Sequence, residues 1–220
     1  MPSLTRQVLA IMSLPGRDPA FARLTPYVGQ AAMASLMTSC LLDVLSQALR
    51  LNGVQYVVVV DRSASARLHA VIPAGVSVLM VPEADRPEGN ERFALAHLRG
   101  QGYERVVSIR ADTLAVAAID IGTAFGTLAT ADVVVGPTSA GGRYLAGGRA
   151  TAIETLGDDF PGDPDALLAA ARDRGLAGRR ITSRRTLAEI ATPDELAGLA
   201  TLPGIGHRVA SWVEDQIRPG

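Results

Sequence analysis

The run Val106-Val107-Ser108-Ile109-Arg110-Ala111 is short, rich in apolar and small residues, and stops on a single acid, Asp112. A buried strand of a parallel sheet reads this way, and its carboxyl end is where open α/β sheets bind ligands. Asp112 is therefore the first catalytic candidate in the chain. Asp is also a favoured N-cap, so the same residue fits a cap for the helix expected from about Val116 to Leu128.

The surrounding pattern supports a sheet. Val8 to Met12 reads as a buried strand, and the stretch from Gly16 to Pro26, with its two prolines, as a loop. From Gln30 to Leu51 the apolar residues Met33, Leu36, Met37, Cys40, Leu41, Val44, Leu45 and Ala48 recur at helical spacing, and Asn52-Gly53 ends the helix. Strands are expected at Val54–Val60, Val76–Val81, Asp132–Pro137 and Arg179–Thr182, with a short one from Leu145 that Gly147-Gly148 stops. Helices are expected at Ala64–Ile72, Glu91–Gly100 (Phe93, Ala94 and Leu98 facing in), Asp165–Arg174 and from Thr192, while Pro82 to Asn90 reads as a polar loop. Strands alternating with helices give a three-layer α/β/α domain with a mostly parallel sheet. The expected division is one domain over 1–196 and a helical extension over 197–220.

Composition narrows the chemistry. All 21 basic residues are Arg, so no Lys can act as nucleophile, Schiff-base former or phosphate-loop ammonium. Phosphate contact must come from Arg, backbone amides or a metal. Cys40 is the only cysteine, which excludes an intramolecular disulfide and a multi-cysteine metal site; its helical setting reads as a buried, inert thiol. No apolar run reaches the ~18 residues of a membrane span. With no cleavable leader recognisable at the start, a cytoplasmic location without membrane attachment is expected.

The order of motifs resembles nucleotide-sugar-type transferases of the GT-A fold. The nearest group holds the molybdenum-cofactor guanylyltransferase-like proteins, 2-phospholactate guanylyltransferase and related small bacterial glycosyltransferase-like proteins. Pro15-Gly16-Arg17 and Arg23-Leu24-Thr25-Pro26 resemble that family's phosphate-binding loop, and Gly89-Asn90-Glu91-Arg92-Phe93 its Gly-Glu-Arg-Met loop. Ile109-Arg110-Ala111-Asp112 stands where the family has its metal-binding acid. Gly136-Pro137 with Gly141-Gly142-Arg143-Tyr144-Leu145 resembles the next loop, and Thr192-Pro193-Asp194-Glu195-Leu196 the segment after the second metal acid. The chain departs from the pattern at several places. Phe21 or Ala22 stands near the loop Lys, Ala140 replaces the acid before Gly-Gly, and Ala191 the acid before Thr-Pro. Glu189 lies two positions upstream, and Thr113 stands where Pro follows the first acid.

The resemblance implies a nucleotide-dependent transferase. It would pass a nucleotidyl group to a phosphorylated small molecule, or a sugar from a nucleotide donor. Asp112, with Glu189, would hold Mg²⁺ or Mn²⁺ against the phosphates. Gly16, Arg17, Arg23, Gly89, Asn90, Gly141 and Gly142 would contact the nucleotide. The partners expected are a nucleoside triphosphate or nucleotide sugar and a small acceptor, with a homodimer allowed. Because several site positions are replaced, a degenerate member that binds a nucleotide or a protein is the first alternative. The second rests on Leu202-Pro203-Gly204-Ile205-Gly206, a helix-hairpin-helix pattern whose amides at a helix N-terminus suit a nucleic-acid phosphate.

Overall fold

The computed structural model describes residues 5–14, 19–61, 68, 70–82, 87–138, 141–183 and 193–217; side chains are further omitted at 19–23, 87, 88, 193, 194, 197, 200 and 217. Its strands are β1 (Gln7–Ser13), β2 (Gln55–Asp61), β3 (Ser77–Val81), β4 (Arg105–Arg110), β5 (Val133–Pro137), β6 (Arg143–Arg149) and β7 (Gly178–Arg180). Its helices are α1 (Pro19–Val28), α2 (Gln30–Ala48), α3 (Pro87–Gly100), α4 (Ala118–Thr127), α5 (Ala150–Leu156), α6 (Pro164–Asp173), α7 (Pro193–Gly198) and α8 (His207–Ile217).

The strands form one sheet in the order β3-β2-β1-β4-β6-β5-β7. Only β6 runs against its neighbours, pairing antiparallel with both β4 and β5. The expected three-layer α/β/α architecture with a mostly parallel sheet is the one observed. Strand alternation sorts the core into two faces. Leu9, Ile11, Val58, Val60, Val107 and Ile109 pack with α2 and α4, whereas Val8, Ala10, Met12, Val57, Val59 and Val106 pack with α3, α5 and α6. A third cluster joins Leu24, Met33, Leu36, Met37, Cys40 and Leu114 to Leu196, Leu199, Val209, Trp212 and Val213. The C-terminal helices are thus bound into the apolar surface of α2.

Helix α2 buries the eight residues its spacing predicts. By length and composition it is also apolar enough to cross a membrane, contrary to the expectation that no segment would be. Those eight residues lie in the clusters just described.

Four further expectations need correction. The stretch after β1 is helical from Pro19, not a loop. Proline is tolerated at a first helical position, where its missing N–H has no partner to lose, and Leu24 is fully buried. Helix α3 starts at Pro87, so Gly89 and Asn90 are helical. Its inward face is Glu91, Ala94, Leu95 and Leu98, at helical spacing, while Phe93 is exposed and stacks on His97. Strand β6 runs through Gly147-Gly148 instead of stopping there. A Cβ on Gly147 would lie 2.9 Å from both Val107 Cγ2 and Val134 Cγ1, so the glycines make room for branched neighbours in a central strand. Helix α5 carries no expectation from the sequence. The helix expected at Ala64–Ile72 falls largely outside the described residues.

Candidate functional site

The end of β4 builds the centre of the site. The ladder to β1 continues one step past the strand, through Ala111 N–H to Met12 C=O at 3.0 Å, and Thr113 N–H then returns to Arg110 C=O at 3.2 Å. This tight turn brings the Asp112 side chain back over Arg110. Arg110 Nε donates to Asp112 Oδ1 at 3.0 Å and Arg110 Nη2 to Oδ2 at 2.5 Å, a two-bond fork. The Asp112 side chain is 10% exposed and that of Arg110 33%. Asp112 does not cap α4. That task falls to Asp120, whose carboxylate accepts Ala117 N–H at 2.8 Å.

A second acid–arginine pair lies beside the first. Ser108 and Arg110 share a face of β4, two residues apart, and α3 covers that face. Glu91 Oε1 accepts from Ser108 Oγ at 2.6 Å and from Arg143 Nη1 at 2.9 Å, and Arg143 Nη2 donates to Oε2 at 2.5 Å. Burial works to raise the Glu91 pKa. The Arg143 charge and hydrogen bonds, the Ser108 hydroxyl and the Arg110 charge outweigh it, so the carboxyl group is held below its ordinary value. Among the described residues of this cluster, two acids are thus matched by two arginines.

Around it, buried polar groups lack partners. Asn90, in the first turn of α3, is fully buried with neither amide atom hydrogen-bonded. The hydroxyls of Thr113 and Thr138, just past β4 and β5, are buried and unpartnered, as is that of Tyr144. Tyr144 lies over Gly136, where any Cβ would meet its ring at 2.3 Å. Each buried orphan costs about 1–3 kcal/mol unless water or a ligand meets it. The Trp212 indole N–H is also unpartnered, but it belongs to the third apolar cluster. Trp212 also lines an open cleft of about 490 Å³ with Val28–Ala32, Ser35 and Gln216, separate from the Arg110–Asp112 and Glu91–Arg143 pairs.

The residues singled out from sequence divide as follows. Asp112, Gly89 and Asn90 stand at the carboxyl edge. Gly141 and Gly142 form the turn between β5 and β6, closed by Thr138 N–H to Gly142 C=O at 2.8 Å, with Gly141 at φ 87°. Arg23 lies in α1, and its side chain is not described. Gly16, Arg17 and Glu189 lie outside the described residues, as do Ala140 and Ala191. Cys40 is buried; desolvation first, then Asp112 and Asp43, push its thiol pKa up, so it stays protonated. The Glu91–Arg143 and Arg110–Asp112 pairs were not read from sequence. The signal for them was two polar residues, Ser108 and Arg110, at period two beyond the apolar Val106-Val107 of β4.

The C-terminal hairpin is occupied by the chain itself. Asp43 Oδ2 accepts Val209 N–H at 3.0 Å, and Oδ1 accepts Arg208 N–H at 3.3 Å and Arg208 Nη1 at 3.2 Å. The amides of Arg208 and Val209, which follow the Gly204–Gly206 turn, thus meet an aspartate from α2.

Residues 44–162 match the family described as "Uncharacterized protein conserved in bacteria (DUF2064)". No curated protein matches the chain. Among solved structures, a candidate nucleotide-diphospho-sugar transferase from Desulfovibrio desulfuricans G20 aligns with a TM-score of 0.75 at 17% identity, over 95% of this chain and 94% of that one. CMP:2-keto-3-deoxy-manno-octonic acid synthetase complexed with CTP aligns at 0.58 and 15% identity, over 87% and 95%. Rv0371c from Mycobacterium tuberculosis H37Rv, in complex with manganese, aligns at 0.54 and 17% identity, over 86% and 95%. At these identities the likeness is one of fold.

Proposed function

We propose that this chain, which belongs to the DUF2064 family, is a nucleotide-dependent transferase. It binds a nucleoside triphosphate or nucleotide sugar at the carboxyl edge and passes a nucleotidyl or glycosyl group to a small acceptor. One observation carries this reading. Arginine-matched acids and the unpartnered polar groups of Asn90, Thr113 and Thr138 share one sheet edge. A nucleotide offers what the unpartnered groups lack: ribose and base groups for an amide and hydroxyls. Arg17 and Arg23, which follow β1, would add phosphate contacts, and the Gly141-Gly142 turn, without Cβ atoms, admits a close approach to base or acceptor. Fold neighbours, one a nucleotide-diphospho-sugar transferase by name and one a synthetase complexed with CTP, support the same class.

Mg²⁺ or Mn²⁺ is the cofactor this fold suggests, with Asp112 and Glu189 as its ligands. The described residues do not fit it. Both Asp112 oxygens are taken by Arg110, both Glu91 oxygens by Arg143, and no group of three His, Cys, Asp or Glu among the described residues could hold an ion.

A second reading, nucleotide binding without group transfer, is favoured by the same Arg110–Asp112 fork, because an acid held so is not poised as a base. Calorimetric titration with nucleoside triphosphates and nucleotide sugars, on wild type and Asp112→Ala, tests the first reading. Binding that weakens about tenfold or more in the variant is expected, since a charged hydrogen-bonding group that orients Arg110 is lost. A protein that binds none of these ligands refutes both readings. One that binds but yields no product by phosphorus NMR with phosphorylated acceptors belongs to the second.

A further inference from the structure

The misfit between this site and a divalent ion has a structural cause. In a metal-assisted site the acid at the end of the central strand is free to ligate, and the ion supplies positive charge to the phosphates. Here the positive charge is covalently part of the strand. Arg110 ends β4 two residues before the acid, and the turn closed by Thr113 N–H folds Asp112 onto it. The fork uses one nitrogen on each carboxylate oxygen, the arrangement in which guanidinium and carboxylate match best. Glu91 is engaged by its own partners, Arg143 and Ser108. An ion arriving at Asp112 would either displace the guanidinium or sit beside it. In the second case a fixed positive charge faces the ion at a largely buried acid, where such repulsion is poorly screened.

We infer that Arg110 takes the charge-neutralising place of a divalent cation at this edge, so that phosphate binding here is independent of metal. The inference rests on the nucleotide-binding reading for what the site receives, but not for how Asp112 is neutralised. Arginine stays protonated across the accessible pH range, so neither a chelator nor mild alkali removes this charge. The charge stays at the edge, where the Arg110 side chain keeps a third of its surface exposed.

Two measurements test it together. Mn²⁺ titration followed by electron paramagnetic resonance, without nucleotide, is run on wild type, Arg110→Ala, Arg110→Gln, Asp112→Asn and the double variant Arg110→Ala/Asp112→Asn. Wild type should leave the Mn²⁺ signal as in buffer. Both Arg110 variants should gain a bound-ion signal, and the double variant should lose it. Nucleotide calorimetry is run on the same proteins in EDTA and in Mn²⁺. Chelation should leave wild-type affinity unchanged and lower that of the Arg110 variants about tenfold. The inference is overturned by wild-type Mn²⁺ binding that Asp112→Asn abolishes, or by nucleotide binding to wild type that EDTA abolishes. If no protein binds nucleotide, the proposed function fails, while the Mn²⁺ series still decides the role of Arg110.

Discussion

At two places in this molecule a carboxylate faces a set of donors, and the two are completed differently. At the start of α8, Asp43 takes two backbone amides and the Arg208 guanidinium, and Gly206 approaches so closely that a Cβ would lie 2.0 Å from Asp43 Oδ2. A helix N-terminus is an anion site, but the chain fills this one itself. At the sheet edge the acids are matched too, by Arg110 and Arg143, yet Asn90, Thr113 and Thr138 keep polar atoms without partners. The first region is closed and structural. The second pairs its acids with arginines and still holds buried polar atoms without partners, the observation on which the proposed function rests.

The largest expected effect comes from Arg143→Leu. It leaves Glu91, 8% exposed, as a buried charge without its main partner, and should cost about 3–5 kcal/mol by urea denaturation. The pH dependence supplies the sharper arm. In wild type the lowered Glu91 pKa contributes stability above the ordinary Glu value of about 4.3, which is lost as pH falls through the lower folded value. In the variant burial is opposed only by Ser108 and the Arg110 charge, so the Glu91 pKa rises and protonation relieves the strain. The stability gap between the two proteins should narrow on acidification. A gap constant with pH would mean that the loss comes from packing and not from the ion pair.

Asp43→Ala should cost less, about 1–2 kcal/mol, the loss of a cap at a helix N-terminus. It would also vacate the Arg208 and Val209 amides. Wild type should show no salt-sensitive DNA association in a filter-binding titration, and a weak phosphate or DNA interaction appearing only in Asp43→Ala would confirm that the aspartate blocks it. Salt-sensitive binding by wild type would erase the contrast between the two regions.

Asn90→Leu should have the smallest effect and the opposite sign. Removing a buried amide that bonds to nothing, at similar volume, should stabilise the ligand-free protein by about 1 kcal/mol while weakening nucleotide binding. Destabilisation by that amount would show that ordered water already satisfies the amide.

Much of the fold was readable along the chain. Helix α2 buries the residues its spacing marks, and β4 ends beside Asp112 as its composition implies. The misreadings were local signals overridden by neighbours. Pro19 looked like a loop residue but opens α1; Gly147-Gly148 looked like a strand stop but lies between Val107 and Val134 in mid-sheet. Phe93 looked like core, yet the face of α3 that meets β4 passes through Glu91 and Leu95. Asp112 and Asn90, singled out from sequence, lie at the carboxyl edge, but Arg110 was not singled out. Nothing in its spacing from Asp112 says that the chain turns at once and folds the acid back.

The sequence by itself determined the alternation of strands and helices, and the strand end at which an acid is delivered. Those properties follow from periodicity and backbone preference, which act over a few residues. The tertiary structure alone decided which charge answers which acid. Glu91 meets Arg143 across 52 positions, and Asp43 meets Val209 across 166. Such pairings depend on how the layers close around the sheet, and within that closed volume an acid binds the nearest donors.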